Sequence, residues 1–276
     1  MPERHDPSGE YRSVDGVDIL LDGPVLHCTL DRVKTRNALD DDMLRALIDG
    51  VETASQDERV RVIAITGNGD HFCAGADIIA RNAPTDAKPR VGSIQRRLPA
   101  QAHRLVPLLL SVQTPVVTSV RGFAAGIGFH LALASDFCVA SESARFWEPF
   151  LARGFTPDSG GAWLLPRLAG TTLAREMILL GRELSGAEAA AQGLIHCAVP
   201  DPELDTATEA LVQRLAESPT VALGLAKWLM FTGAALPLDA HLANEAFALE
   251  LSSRSQDFRE GLAAFREKRD PDFTGR

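Results

Sequence analysis

Apolar and polar positions repeat along the chain with two different periods, which together predict alternating strands and helices. Apolar residues recur at helical spacing between Asp40 and Ser55, so this segment is predicted to be an amphipathic helix. Val60–Thr66 and Pro115–Val120 are instead short continuous apolar runs, which are typical of strands buried on both faces. Strands that alternate with helices in this way indicate an α/β fold with a largely parallel sheet.

The same patterns predict the remaining elements. An N-terminal hairpin is expected from Val17–Leu21 and Pro24–Leu30 around the Asp22-Gly23 turn. Further strands are predicted at Phe137–Ala140, Ala144–Phe146 and Leu194–Val199, and further helices at Ser93–Ser111, Ile127–Ser135, Gly160–Leu168, Leu173–Leu180 and Ala187–Gln192. From Pro202 onward every predicted segment is helical: Glu203–Ser218, Val221–Thr232, Leu238–Ser253 and Gln256–Arg269. We therefore expect an α/β core over residues 1–201 and a helical C-terminal region over residues 202–276.

Composition narrows the range of partners. The 276 residues carry a net charge of −9, and an acidic surface argues against nucleic acid, because phosphate binding needs a basic face. No run reaches the roughly 20 apolar residues of a membrane span, and the polar N-terminus contains no apolar signal segment. Cys28, Cys73, Cys138 and Cys197 form no C-x-x-C pair, so buried reduced thiols and a cytoplasmic location are expected.

Two glycine-rich turns follow buried strands, but neither carries a known cofactor motif. In the turn from Gly67 to Asp77, Phe72 stands where a dinucleotide fingerprint needs its third glycine. In the second turn, Gly126-Ile127-Gly128, Leu131 takes that place. The chain also lacks a Walker loop, a nucleophile elbow and a His-Glu-x-x-His motif, so neither a metal nor a permanently bound cofactor is expected.

Backbone chemistry remains possible at both turns. The N–H of Ile127 lies where a strand gives way to a helix, and a second uncovered N–H near Ala74-Gly75 could face it. Two converging N–H donors form an oxyanion hole. The alternative is that the small residues only allow a helix to pack closely on the sheet.

Four motifs in order give the sequence a family resemblance. They are Asn37-Ala38-Leu39, Phe72-Cys73-Ala74-Gly75-Ala76-Asp77, Gly122-Phe123-Ala124-Ala125-Gly126-Ile127-Gly128 and Pro157-Asp158-Ser159-Gly160-Gly161. Their spacing, and the final helix around Gly261–Arg269, resemble the crotonase (enoyl-CoA hydratase/isomerase) superfamily. The resemblance implies a crotonase-like spiral of ββα units with a C-terminal helical oligomerisation region, assembled as a homotrimer or a hexamer (dimer of trimers). It also implies an acyl-CoA thioester as substrate, with coenzyme A entering only as part of that substrate.

The resemblance also assigns residues to the acyl-CoA site. By motif position, the N–H groups of Ala74 and Ile127 would hold the thioester oxygen. Arg32 and Lys34 match positions near the CoA phosphates, the alternative being a solvated turn, while Phe265 and Lys268 could close the adenine site. The full set implied for substrate binding is Arg32, Lys34, Ala74, Gly75, Ala76, Asp77, Ile78, Gly126, Trp147, Phe150, Phe265 and Lys268.

The sequence departs from the hydratase pattern at both catalytic glutamates. His130 and Phe150 occupy their positions, and Glu148 is not counted as a replacement because two residues along a strand displace it by about 6.6 Å. Asp158 remains, at the position where isomerase branches of the family, including the ring-opening isomerase of phenylacetate breakdown, move a proton. Asp158 could instead cap the following helix, and His130 could be either a second proton carrier or a packed helix residue.

These residues favour an enoyl-CoA isomerase, in which the oxyanion hole polarises the thioester and Asp158 moves a proton. An atypical hydratase without the glutamate pair, a non-catalytic acyl-CoA-binding protein and an acyl-CoA hydrolase remain as alternatives. The acyl group is expected to depend on the Arg81–Gly92 loop and the Phe146–Phe155 segment.

Overall fold

The computed structural model describes residues 10–77 and 90–276, which form two β-sheets surrounded by helices. In that part of the chain, no helix combines the length and the apolar character needed to cross a membrane. The nine strands are β1 (Val17–Asp22), β2 (Val25–Leu30), β3 (Val62–Gly67), β4 (Val116–Val120), β5 (Phe123–Ala125), β6 (Phe137–Ser141), β7 (Arg145–Trp147), β8 (Leu184–Ser185) and β9 (Cys197–Val199) among the described residues.

The larger sheet has the strand order β1-β2-β3-β4-β6-β9. Only the hairpin of β1 and β2 is antiparallel, and every other neighbouring pair is parallel, as the apolar runs predict. The smaller sheet has the order β5-β7-β8, and its strand β5 was predicted as part of a turn. Because β4 and β6 are each followed at once by a short strand of the smaller sheet, the chain spirals between the two sheets.

The helices are close to the predicted ranges, with two exceptions. They are α1 (Asp41–Ala54), α2 (Ser93–Arg97), α3 (Ala102–Ser111), α4 (Ile127–Ala134), α5 (Gly161–Leu180), α6 (Gly186–Ala191), α7 (Leu204–Ala216), α8 (Thr220–Gly233), α9 (Leu238–Ser252) and α10 (Gln256–Glu267). The helices predicted at Gly160–Leu168 and Leu173–Leu180 form a single helix, α5, with a kink at the non-helical Gly170. The prediction of one long helix over Ser93–Ser111 is wrong, since a 3₁₀ turn containing Pro99 and the non-helical Gln101 separate α2 from α3. Proline lacks the N–H that a helix interior needs.

Two apolar clusters cover the two faces of the larger sheet. The first contains α1, α3 and α4, and each of these helices buries several apolar side chains against it. The second joins Val62 and Val117 of the sheet to Val212 and Leu215 of α7. Helix α7, which belongs to the predicted C-terminal region, therefore packs against the larger sheet as part of the core.

Helix α8 is tied to the core by a buried cation. Lys227 donates to the carboxylate of Asp136 (2.6 Å) and to the carbonyl oxygens of Leu109 (2.9 Å) and Thr114 (3.2 Å). Helices α8 and α9 also expose apolar side chains, among them Met230, Leu242 and Leu249.

Candidate active site

The two glycine-rich turns lie side by side because they follow the neighbouring parallel strands β3 and β4. Cys73 forms a parallel β-bridge with Ala124, which joins the turns directly. A Cβ at Gly128 would lie 2.5 Å from the Cys73 carbonyl oxygen, and one at Gly75 would lie 3.0 Å from the Ala125 carbonyl oxygen. Small residues therefore serve close packing here, and this packing brings the backbones of both turns together.

The first turn uses most of its amide groups internally. The Ala74 N–H donates to the Arg36 carbonyl oxygen (2.9 Å). This contact corrects the prediction that Ala74 supplies an oxyanion donor, because its proton already has an acceptor within the protein.

A different amide of this turn is available. Leu39 donates to the Gly75 carbonyl oxygen and accepts from the Asp77 N–H, both at 2.8 Å, so Leu39 pairs with the residues on either side of Ala76. The Ala76 N–H itself makes no hydrogen bond within residues 10–77 and 90–276. Within the described residues the pairing with Leu39 therefore leaves the neighbouring N–H groups of Gly75 and Ala76 without an internal acceptor, which the run of small residues at 74–76 does not reveal by itself.

In the second turn the Ile127 N–H is a free amide. Ile127 is the first residue of α4, and first-turn N–H groups have no partner inside their own helix. Gly126, with φ of 54°, turns the chain into the helix, and its own N–H donates to the Trp147 carbonyl oxygen (3.1 Å). Among the described residues the Ile127 N–H has no acceptor, and the positive end of the α4 dipole lies behind it.

The buried side chain of Asn37 holds the first turn in place by hydrogen bonds. Its side chain is fully buried, and its amide nitrogen donates to the carbonyl oxygens of Asn68 (3.0 Å) and His71 (2.7 Å). Its side-chain oxygen accepts from the Arg32 N–H (2.8 Å). A left-handed backbone, with φ of 57°, allows this position, and asparagine tolerates that conformation better than most residues.

Arg32 acts on the same turn through ion pairs. Its guanidinium lies 3.2 Å from Asp77 and 3.2 Å from Asp40, and it also donates to the Ala38 carbonyl oxygen (3.0 Å). Arg32 therefore fixes Asp77 at the end of the turn, and its predicted contact with CoA phosphates stays a prediction.

Lys34 lies beside a shallow polar cleft. The cleft, with a volume of about 210 Å³, is lined by Val33, Lys34, Arg36, Asn68, Asp70 and His71. Lys34 and Arg36 are both exposed and form no ion pair within the described residues. The arrangement leaves two cations open at the rim of the first turn.

A buried polar cluster stands beside the start of α4. His130 Nε2 lies 2.7 Å from Glu148 Oε1, and His130 Nδ1 lies 2.6 Å from Ser159 Oγ. His130 and Ser159 belong to different segments from Glu148, yet all three side chains are at most 1% exposed. We call Glu148, His130 and Ser159 the His130 cluster.

Glu148 in this cluster was not predicted. Strand β7 ends at Trp147, so the alternation that put Glu148 on the same face as Phe150 does not continue through both residues. The Phe150 ring instead stacks on the His130 imidazole, with centroids 5.9 Å apart and planes within 11°. Phe150 thus covers the histidine, and Glu148 reaches it from another side.

Asp158 lies at the open end of the His130 cluster. Its Oδ1 atom is 3.2 Å from Ser159 Oγ, and its carbonyl oxygen is 2.7 Å from a ring nitrogen of His103. The following helix α5 is capped by Gly160 without a side-chain hydrogen bond, so the interpretation of Asp158 as the N-cap is wrong. The Asp158 side chain is partly exposed, in contrast to the three residues behind it.

The remaining predicted site residues are spread more widely. Trp147 is half-buried and lies under the guanidinium of Arg153, 5.4 Å from its ring centroid. Phe265 is 84% exposed on α10, and Lys268 ends that helix in a left-handed conformation. Ile78 lies outside the described residues, as does most of the loop predicted to set the acyl group. The roles of Trp147, Phe265 and Lys268 stay predictions.

Known proteins resemble this chain over almost its whole length. The chain matches the family described as Enoyl-CoA hydratase/isomerase over residues 22–276. It is 38% identical to the 1,2-epoxyphenylacetyl-CoA isomerase of Escherichia coli (strain K12) over 91% of this chain and 95% of that protein. It is also 38% identical to a probable enoyl-CoA hydratase of Rhodobacter capsulatus, over 90% of this chain and 93% of that one.

A solved structure shows the same architecture. The crystal structure of a putative enoyl-CoA hydratase from Streptomyces coelicolor A3(2) superposes with a TM-score of 0.88, at 30% identity, over 100% of this chain and 98% of that one. The predicted crotonase-like fold with its C-terminal helices is thereby confirmed. The chain belongs to the enoyl-CoA hydratase/isomerase family of the crotonase superfamily.

Proposed function

We propose that this protein is an acyl-CoA isomerase that shifts a double bond with one carboxylate, Asp158. The observation that carries the proposal is that the two carboxylates near α4 differ in burial and in hydrogen bonding. Glu148 is buried and bonded to His130, whereas Asp158 is partly exposed. A pair of carboxylates to activate water is therefore lacking among the described residues at this site, but one carboxylate suffices for a proton shift.

The polarising donors in this proposal are the N–H groups of Ala76 and Ile127. Each lacks an internal acceptor in the described part of the chain, and the two turns that carry them are in contact. A thioester oxygen held between them gains negative charge as the α-proton leaves, and preorganised donors stabilise that charge. Ala76 replaces Ala74 as the donor of the first turn for the reason given above.

The reaction then needs no water. Asp158 removes a proton from the carbon next to the thioester, which leaves an enolate bound by the two N–H groups. The same carboxyl group returns a proton further along the acyl chain, and the double bond moves by one position. The reverse direction uses the same groups, because each proton that Asp158 takes is given back.

The proposal extends to the nucleotide end of the substrate and to the assembly. Lys34 and Arg36 at the rim of the first turn supply positive charge for CoA phosphates, since neither is neutralised within the described residues. Phe265 and Lys268 would complete the adenine site. The exposed apolar side chains of α8 and α9 fit burial in a homotrimer or a dimer of trimers. The buried free thiols Cys28, Cys73 and Cys138 fit a cytoplasmic location.

The experiment is mass spectrometry of 2-enoyl- and 3-enoyl-CoA after incubation with the enzyme in D₂O. A shifted double bond with no added water supports isomerisation, and deuterium uptake would show that the proton exchanges with solvent while Asp158 holds it. A product heavier by one water contradicts it and identifies an atypical hydratase, the activity named for the Rhodobacter capsulatus relative. Release of free CoA would identify a hydrolase. Tight binding without any of these changes, across dienoyl- and cyclic acyl-CoAs as well, would identify a non-catalytic binder.

A further inference from the structure

Four polar side chains form one continuous hydrogen-bonded chain beside the glycine turns. Glu148 contacts His130 at 2.7 Å, His130 contacts Ser159 at 2.6 Å, and Ser159 contacts Asp158 at 3.2 Å. We infer that the His130 cluster is a buried proton relay that ends on Asp158. This inference rests on the proposed function, in which Asp158 is the base, and it makes Ser159, His130 and Glu148 positioning residues that act through it.

The relay has a single open end. Glu148, His130 and Ser159 are at most 1% exposed, whereas Asp158 is partly exposed. A proton can therefore enter or leave the chain of hydrogen bonds at Asp158 while the other three groups remain shielded from water.

Ser159 is the switch point of the relay because its hydroxyl has one proton and two neighbouring acceptors. With a neutral imidazole protonated on Nε2, His130 donates to Glu148 and Ser159 donates to His130 Nδ1. With a protonated imidazole, His130 Nδ1 donates to Ser159, and the Ser159 hydroxyl then donates to Asp158. The two hydrogen-bond patterns differ by one proton, and both use the distances that the structure has.

Glu148 forms the inner end of the relay. Its Oε1 atom accepts from His130, but its Oε2 atom is buried without a hydrogen-bond partner among the described residues. A buried carboxylate with one neutral donor is poorly compensated. When His130 becomes an imidazolium, the carboxylate gains a counter-charge at the same contact.

The surrounding residues keep this geometry fixed. A Cβ at Gly161 would lie 2.3 Å from His130 Nε2 and 2.6 Å from Glu148 Oε1, so the backbone of α5 lies directly against their contact. On another side, the stacked Phe150 ring covers the imidazole. The absence of a side chain at Gly161 therefore leaves room for the histidine–glutamate pair.

The proton transfer balances without another reactant. Asp158 takes a proton from the substrate carbon and becomes a carboxylic acid, leaving an enolate. The acid proton passes to the Ser159 oxygen while the Ser159 proton passes to His130 Nδ1, which restores the Asp158 carboxylate and forms an imidazolium beside Glu148. The same steps in reverse return a proton to Asp158 for delivery to the other carbon.

The test compares wild type, Ser159→Ala and Ser141→Ala in the isomerase assay with the fastest enoyl-CoA of the D₂O panel. Ser141 is equally buried, and its hydroxyl contacts Ser143 rather than the site, so it controls for loss of a buried hydroxyl. We expect Ser159→Ala to lower kcat about tenfold or more. Binding of butyryl-CoA, which has no double bond to move, should stay within about twofold of wild type.

Solvent isotope effects separate a relay from a structural role. Wild-type kcat should be lower in D₂O than in H₂O, because exchangeable protons on Ser159 and His130 move during turnover. The difference should shrink in Ser159→Ala, and Ser159→Cys, which retains a weak donor, should recover part of kcat.

The outcomes distinguish the relay from the function on which it rests. If Ser159→Ala matches Ser141→Ala in both kcat and isotope effect, the relay is refuted while the role of Asp158 stands. If Asp158→Asn retains wild-type turnover, or if no acyl-CoA in the panel exchanges or isomerises, the proposed function fails and the relay fails with it.

Discussion

The two sides of the candidate site are built in opposite ways. On one side, the glycine turns present backbone N–H groups, and their positions follow from β3, β4 and the bridge between Cys73 and Ala124. On the other side, Asp158 and the His130 cluster present side chains, and three separate segments between residues 130 and 159 must meet to align them. The comparison teaches that, in the proposed reaction, stabilising the oxyanion depends on chain geometry, whereas moving the proton depends on side-chain identity.

The sharpest test of this contrast is Asp158→Asn, which changes one side chain and leaves the turns intact. Turnover and deuterium exchange should fall by roughly 10²–10⁴-fold, because the amide cannot accept the proton. Affinity for butyryl-CoA, measured by calorimetry, should change little, since the N–H groups of Ala76 and Ile127 remain. A comparable loss of affinity and turnover would contradict the division of labour between the two sides.

A change confined to the backbone side should have the next largest effect. Gly75 has φ of 104°, and a Cβ there would lie 3.0 Å from the Ala125 carbonyl oxygen, so Gly75→Ala should displace the neighbouring Ala76 N–H. We expect a decrease in kcat of roughly 10²-fold, the usual effect of losing one oxyanion donor.

Gly193→Ala is the matched control for this variant. Gly193 also has a positive φ, of 68°, but a Cβ there would have no neighbour within 4 Å. Its kcat should stay near wild type, although its stability should decrease through the same backbone strain. Equal kcat values for the two variants would show that the first turn does not position a catalytic amide.

The sequence predicts the backbone side of the site better than the side-chain side. Glycine is visible in a sequence, so Gly126 and Gly75 identified both turns, and Ile127 followed from its place at a helix start. The prediction of Ala74 as a donor is wrong, because the Arg36 carbonyl oxygen, which lies far away in the chain, already accepts its proton.

On the side-chain side, the sequence identified His130 and Asp158 but neither Glu148 nor Ser159. His130 and Asp158 were recognised as the polar residues that replace the usual pattern. Their connection through Ser159, and the turn of Glu148 toward His130, depend on where β7 ends and on how α5 packs against α4. The alternation of side chains along a strand does not predict side-chain directions beyond the last residue of that strand. Contacts between separate segments are set only when the chain folds.

A third variant tests whether close packing by α5 holds the His130–Glu148 contact in place. In Gly161→Ala the new Cβ would meet His130 Nε2 at 2.3 Å and Glu148 Oε1 at 2.6 Å. We expect the free energy of unfolding, measured by urea denaturation, to decrease by about 1–3 kcal/mol. Gly261→Ala is the control: it also lies in a helix, meets nothing closer than 3.6 Å, and should be neutral or slightly stabilising. Similar stabilities for both variants would show that the His130–Glu148 contact has room to move.

The smallest expected effect lies on the backbone side, where one titratable side chain supports the turns. His71 Nδ1 accepts from the Phe123 N–H (3.3 Å), and only a neutral imidazole can do so. Desolvation by burial, and secondarily the positive charge of Arg36, lower the pKa of His71 in the folded protein. In the unfolded chain the pKa of a histidine is about 6.5, so the unfolded chain binds this proton more readily than the folded protein. The free energy of unfolding should therefore decrease as pH falls through and below that value.

In His71→Gln the amide oxygen can still accept from the Phe123 N–H but does not titrate, so this variant should lose less stability than wild type between pH 7.5 and 5.5. Parallel curves of unfolding free energy against pH would show that the turn is held without His71, by Asn37 and the β-bridge to Ala124 alone.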